Sequence, residues 1–218
     1  MISLTVASFN FRGSDEEVQY IISECLLNKV NILCIQGGCK ANYDLLIRET
    51  NSNGYKYVRM DDNFKKNTGE LIFTTSRKDD ITLKVDKALF TGFRNTSEDR
   101  ALSRYDITID SNVKISICTS ELETTIVNRR LQIDEIVNSF KTNDKVIFVG
   151  NTNIPEWQRD IHTPKGWFDA WEEKGTSSNY KTFEKDRLDR FYYKGLYCDK
   201  FSLLEGKNYD GVMATFSL

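Results

Sequence analysis

The segment from Val146 to Trp157 reads V-I-F-V-G-N-T-N-I-P-E-W. Four consecutive apolar residues, Val146 to Val149, run into Gly150 and then into Asn151-Thr152-Asn153. A short apolar run of β-branched and aromatic residues, closed by a glycine, reads as a strand buried on both faces. Because it stops in amide and hydroxyl side chains, it reads as a buried strand that ends in a polar site.

Working outward, other strands of this kind appear. Ser3 to Phe9 alternates, with Ile2, Leu4, Val6 and Phe9 assigned to one apolar side. "NILCIQGG" and "VKISICTS" are buried strands, and "YKYVRM" and "GELIFTTS" shorter ones. Ile81 to Phe90 and Ala101 to Ile109 alternate with period two, and "RLDRFYYKG" and "DGVMATFSL" supply the last strands. Between them lie helices. Ser14 with Glu17 forms a capping box ahead of Val18, Ile21, Ile22, Cys25 and Leu26 at helical spacing. Tyr43 to Thr50 is helical. Ile126, Arg130, Ile133, Ile136, Val137 and Phe140 mark an amphipathic helix, and "GWFDAWEEKG" holds a short helical turn. Two sets of strands with a few helices predict a four-layered α/β sandwich: two packed, largely antiparallel sheets flanked by helices. Residues 1–218 read as a single domain, with no linker, repeat or low-complexity segment.

Composition narrows the function class. Lys plus Arg is 30 and Asp plus Glu is 32, so charge alone does not announce a nucleic-acid binder. No apolar run is long enough to span a bilayer. "MISLTVASFNF" lacks the basic and apolar regions of a signal peptide, so the expected location is cytoplasm or nucleus, without secretion and without membrane insertion. Five cysteines, an odd number with no C-x-x-C, point to reduced, mostly buried thiols. With His162 the single histidine, a Cys/His zinc site is not expected.

Six stretches resemble, in order, the endonuclease/exonuclease/phosphatase superfamily of metal-dependent phosphodiesterases. "SFNFRG" resembles its opening strand, "ILCIQGG" the strand that normally ends Gln-Glu, and "ICTSELETT" the strand that normally reads Thr-Ser-His-Leu-Glu-Ser. "VIFVGNTNIPEW" is similar to the strand that ends Gly-Asp-x-Asn. "DAWEEKG" with "TFEKDRLDRFYYKG" resembles the Asp-x-Trp turn and the Arg-x-Asp-Arg strand. "KNYDGVMATFSL" resembles the last strand, which normally opens Ser-Asp-His. The Thr-Ser pair, the Thr between Asn151 and Asn153, and the "DAWE" turn look most like the 5′-tyrosyl-DNA phosphodiesterases of the second type.

The resemblance implies a site, and the residues present depart from it. In that family carboxylates hold a hard divalent cation, usually Mg²⁺, which polarises the phosphoryl oxygen. An aspartate activates water, and a histidine stabilises the charged transition state. Carried over position by position, Asn10, Gln36, Asn153 and Asp189 are retained. Gly37 stands where the metal-binding glutamate belongs, Glu121 where a histidine belongs, and Asn151 where the water-activating aspartate belongs. Asn208 and Tyr209 replace the Asp-His of the last strand, preceded by Lys207. An amide accepts a hydrogen bond but is no base, and glycine offers no ligand.

The expectation is therefore a pseudoenzyme with no intact catalytic residue and no metal, an intracellular binding or scaffold protein. Its partner would be a protein, self-association included, with nucleic acid kept open. Arg12 and Lys207, with the arginines around Asp189, are the candidates for a metal-free phosphate site. Two alternatives stand beside this reading: a non-cleaving nucleic-acid binder, and an Mg²⁺-dependent 5′-tyrosyl-DNA phosphodiesterase or nuclease with a rearranged site. Glu121 and Asp189 would have to hold the metal in the latter, and Gly37 and Asn208 leave that pair short of oxygens.

Overall fold

The computed structural model describes residues 2–11, 14–37, 40–58, 71–75, 81–94, 96, 100–155, 157–158, 163–176, 181–183, 186–206 and 210–218, with backbone alone at 40–43, 57–58 and 71–75. In chain order the elements are β1 (Ser3–Phe11), α1 (Asp15–Leu27), β2 (Ile32–Gly37), α2 (Lys40–Ser52), β3 (Tyr55–Val58), β4 (Leu71–Thr75), β5 (Leu83–Gly92), β6 (Ala101–Ile109) and β7 (Val113–Glu121). They continue as α3 (Ile126–Ser139), β8 (Val146–Asn151), β9 (Phe168–Asp169), α4 (Ala170–Lys174), β10 (Asp189–Lys194), β11 (Tyr197–Leu204) and β12 (Gly211–Ser217).

The strands form two six-stranded sheets, ordered β11-β12-β1-β2-β4-β3 and β5-β6-β7-β8-β10-β9. Each sheet has one parallel pair at its centre, β1 with β2 and β7 with β8; every other pairing is antiparallel. Each parallel pair is joined by a crossover that contains a helix, α1 in one sheet and α3 in the other, as parallel neighbours require. The α/β sandwich expected from the alternation is what the chain adopts.

Side chains alternate across each strand, and the alternation builds three cores. Leu4, Val6, Ile32, Cys34, Ile107, Ile117, Ile147, Val149, Phe191 and Phe216 fill the space between the sheets. The opposite faces of β1 and β2, with Ala7, Phe9, Leu33 and Ile35, bury against Val18, Ile21, Ile22 and Cys25 of α1. The outer face of the second sheet, with Cys118 and Phe148, buries against Ile133, Ile136 and Phe140 of α3. Helices therefore pack on the outer faces, α1 on β1 and β2 and α3 on β7 and β8.

The capping box is real: Ser14 accepts a hydrogen bond from the Glu17 N–H at 3.1 Å, which stabilises the helix start by about 1 kcal/mol. Cys25, Cys34, Cys118 and Cys198 are free and buried, and burial pushes their thiols up, Cys198 to about 12. Among the described residues no helix is long and apolar enough to cross a membrane.

Three details differ from the sequence reading. Phe9 packs under α1, opposite to Leu4 and Val6, because β1 is buried on both faces. The buried face of α3 runs through Arg129 and Gln132, and Arg130 is exposed. Strand β11 was not anticipated at all. Its core residues Cys198 and Phe201 are three apart, and a register shift between Cys198 and Lys200 inserts the extra residue that puts them on one face.

Gly150 lets the two parallel strands close. A Cβ there would lie 2.1 Å from the Ser120 carbonyl oxygen, which is backbone and cannot swing away. Gly150→Ala is expected to destabilise the protein by about 3 kcal/mol through forced separation of β7 and β8, measured by urea denaturation.

Candidate functional site

The inward alternation continues past the apolar core and turns polar at one end. On β1, Leu4 and Val6 are followed in phase by Ser8 and Asn10; on β2, Ile32 and Cys34 by Gln36. On β7, Ile115 and Ile117 lead to Thr119 and Glu121, and on β8, Ile147 and Val149 lead to Asn151. Strand β10 runs the other way, so Tyr193 and Phe191 lead back to Asp189. Asn10 is in register with Gln36, and Asn151 with both Glu121 and Asp189. The structure thus brings together Asn10, Gln36, Glu121, Asn151 and Asp189, with Gly37 one residue beyond.

A carboxamide ties the sheets at this end. Gln36 Nε2 donates to Thr119 Oγ1 of the opposite sheet at 2.6 Å and to Ser8 Oγ at 2.8 Å. All three residues are fully buried. Asn151 and Asn153 hold the chain's own backbone. Asn151 Oδ1 accepts the Asn153 N–H at 2.8 Å, a two-residue side-chain turn. Asn153 sits at φ 51°, a left-handed conformation that asparagine tolerates, and its Nδ2 donates to the Leu122 carbonyl at 2.6 Å. The Asn153 carbonyl accepts from Arg129, which is 1% exposed and also donates to Thr124 O and Gln158 Oε1. Asn10 differs: it is 2% exposed, and neither atom of its amide has a hydrogen-bond partner among the described residues.

The substituted positions have closed rather than merely emptied. Gly37 lies at φ 69°, and a Cβ there would meet the Phe11 carbonyl oxygen at 2.6 Å and Asn10 Oδ1 at 2.9 Å. No side chain fits without moving the β1 backbone. Glu121, at 8% exposure, pairs with Arg100 at 2.6 Å. Its neighbour Glu123 accepts from Thr96 at 2.8 Å, so both carboxylates anchor the segment that enters β6. The Asp189 N–H donates to Thr182 Oγ1 at 3.1 Å.

The arginines beside Asp189 are engaged by another acid. Arg187 Nη1 donates to both oxygens of Asp169, at 2.8 and 2.7 Å, and stacks over the Trp171 ring at 4.5 Å. Arg190 lies 3.7 Å from the same carboxylate and donates to the Ile154 carbonyl. Asp169 is 1% exposed and also caps α4 through the Trp171 N–H. Arg187 and Arg190 are therefore structural cations, which removes them from the expected phosphate site.

Arg12, Lys207, Asn208, Tyr209 and His162 lie outside the described residues. Sequence reasoning missed Ser8, Thr119, Arg100 and Arg129 as members of this end of the fold. Ser8 and Thr119 had a signal, since each is a polar residue in phase with inward apolar ones. Arg100 and Arg129 had none, because a pairing remote in sequence leaves no local pattern.

A hard divalent cation needs several oxygen ligands, mostly charged. Here one ligand position has no side chain, Asn10 and Asn151 are neutral, and Glu121 already has a cation. Among the described residues no three His, Cys, Asp or Glu side chains gather where they could hold a metal ion. The residues in place do not fit the group that the resemblance implies.

Solved structures place this architecture in a class. An endonuclease/exonuclease/phosphatase family protein from Bacteroides thetaiotaomicron superposes with a TM-score of 0.83 at 15% identity, over 98% of this chain and 97% of that one. The chain therefore has the endonuclease/exonuclease/phosphatase fold. Among its structural neighbours, TDP2 from C. elegans has a TM-score of 0.80 at 20% identity, covering 99% of this chain and 75% of that one. TDP2 from D. rerio, complexed with single strand DNA product, has a TM-score of 0.81 at 19% identity over 99% of each chain. No family model matches the sequence. No curated protein matches it either.

Two outcomes are expected from substitution here. Gly37→Glu, which reinstates the family's residue, should lower stability by about 3 kcal/mol from strain and overlap, and should leave Mg²⁺ binding undetectable by calorimetry. Asp169→Asn removes the charge that two buried arginines face and should cost about 3 kcal/mol in chemical denaturation.

Proposed function

We propose that this chain is a catalytically inactive phosphodiesterase-fold protein that works by binding, with the fold kept as a scaffold in the cytoplasm or nucleus. The observation that carries the reading is the backbone closure at Gly37, where the principal metal ligand of the family would have to stand. The Arg100–Glu121 ion pair supports it, because an anion held by an internal cation stands at the position that the resemblance assigns to a histidine. Loss of groups that act as a unit removes activity far beyond what any one loss suggests. The reading takes a protein, a second copy included, as the partner class.

A non-cleaving nucleic-acid binder is the second reading. It is favoured by the D. rerio TDP2 structure, in which a chain of the same fold holds single strand DNA product. Such binding would weaken steeply with salt, since it would rest on phosphate contacts.

A 5′-phosphotyrosyl oligonucleotide incubated with Mg²⁺ or Mn²⁺ is expected to stay intact, with and without chelator, as followed by denaturing gel. Turnover that EDTA abolishes would overturn the reading in favour of a rearranged metal site.

A further inference from the structure

At the opposite end of the second sheet, on its outer face, a groove of about 410 Å³ runs between β5, the end of β6, the start of β7, and residues 142–145 after α3. Ser116 and Glu121 are five positions apart on β7, which sets the groove about 17 Å from the candidate site along that strand. Three ammonium groups line it, Lys87, Lys114 and Lys145, with three carboxylates, Asp86, Asp106 and Asp144.

The charges do not simply cancel, because two of those acids have a cation from outside the lysine trio as their direct partner. Asp106 takes two hydrogen bonds from Arg104, at 3.0 and 3.2 Å, and a third from Ser116 at 2.6 Å. Asp86 pairs with Lys84 at 3.0 Å and accepts from Thr108. Lys114 still feels Asp86, and among the lining residues Asp144 is the acid with no such outside cation recorded. The floor is polar and ordered: Asn143 Nδ2 donates to Ser116 Oγ at 2.9 Å, which fixes the 142–145 segment against the sheet. The volume suits a nucleotide-sized ligand.

We infer that this groove is an anion-binding site for a compound with two or more linked phosphates, gripped by Lys87, Lys114 and Lys145. Lysine serves phosphate as a mobile point charge, and three around one groove favour a ligand whose charges are spread over several ångströms. Asp144 sets a ceiling on affinity by repelling the ligand. The inference is independent of whether the phosphodiesterase site is active.

The test is calorimetry on the full chain with tripolyphosphate, ATP and a 5′-phosphorylated oligonucleotide, at two salt concentrations. Binding of tripolyphosphate is expected, weakened tenfold or more in the triple Lys→Gln variant at 87, 114 and 145, and tightened several-fold in Asp144→Asn. ATP binding as tightly as tripolyphosphate would identify the phosphates as the whole determinant, whereas tighter ATP binding would assign the rest of the groove to a nucleoside. Preference for the oligonucleotide would make the ligand a nucleic-acid end. Lys200→Gln, on the exposed face of β11 in the other sheet, should leave all three unchanged. No binding of any of the three at millimolar concentration, or binding indifferent to both the lysine and Asp144 variants, overturns the inference.

Discussion

The Gln36 carboxamide holds the two sheets in one relative placement. Apolar burial between sheets is strong but non-directional, so it brings the layers together without fixing their offset. A buried amide needs specific partners, and Gln36 finds them on a neighbouring strand and across the interface, in Ser8 and Thr119. Sliding the sheets by one residue would leave those polar groups buried and unpaired, which costs more than the bonds gain when made. The ends of β1, β2, β7, β8 and β10 meet because this tie, just below them, allows one arrangement.

The sequence made most of the scaffold legible because nearly every strand obeys a simple period. Apolar runs at Ile32, Ser116 and Val146 and the clean alternation of Ala101 to Ile109 required no tertiary information. The failures come from local irregularity. In β11 the bulge breaks the period, so Cys198, Phe201 and Leu204 look neither helical nor extended until the register shift is known. In α3 the buried face includes Arg129, whose guanidinium is satisfied by carbonyls from elsewhere in the chain. Hydrophobic spacing assigns such a residue to solvent, and only the fold shows otherwise.

For the candidate site, positions were readable and contacts were not. Motif order located Asn10, Gln36, Gly37, Glu121, Asn151 and Asp189, and the structure gathers them. That Glu121 would turn to Arg100, or that Arg187 and Arg190 would converge on Asp169 rather than remain for a ligand, depends on segments distant in sequence. The glycine at 37 carries the sharpest lesson. From the sequence it is an absent ligand, but the conformation makes it a requirement, since its φ of 69° and the nearby Phe11 carbonyl exclude a side chain.

These contacts have a common electrostatic logic. A buried carboxylate is unfavourable unless a cation or hydrogen-bond donor meets it, and a metal-dependent site meets that need with the metal. Three acids at this end of the sandwich are met from within the chain: Glu121 by Arg100, Glu123 by Thr96, and Asp169 by Arg187 and Arg190. Asn151 in place of an aspartate removes one more charge from the same surroundings, and its amide is spent on the turn to Asn153. A site that depends on a bound cation for its charge balance would leave carboxylates in search of one. For Glu121, Glu123 and Asp169, internal arginines and a hydroxyl do that work. The fold gains stability at this end from its own side chains, while the Asn10 amide is buried without a hydrogen-bond partner among the described residues.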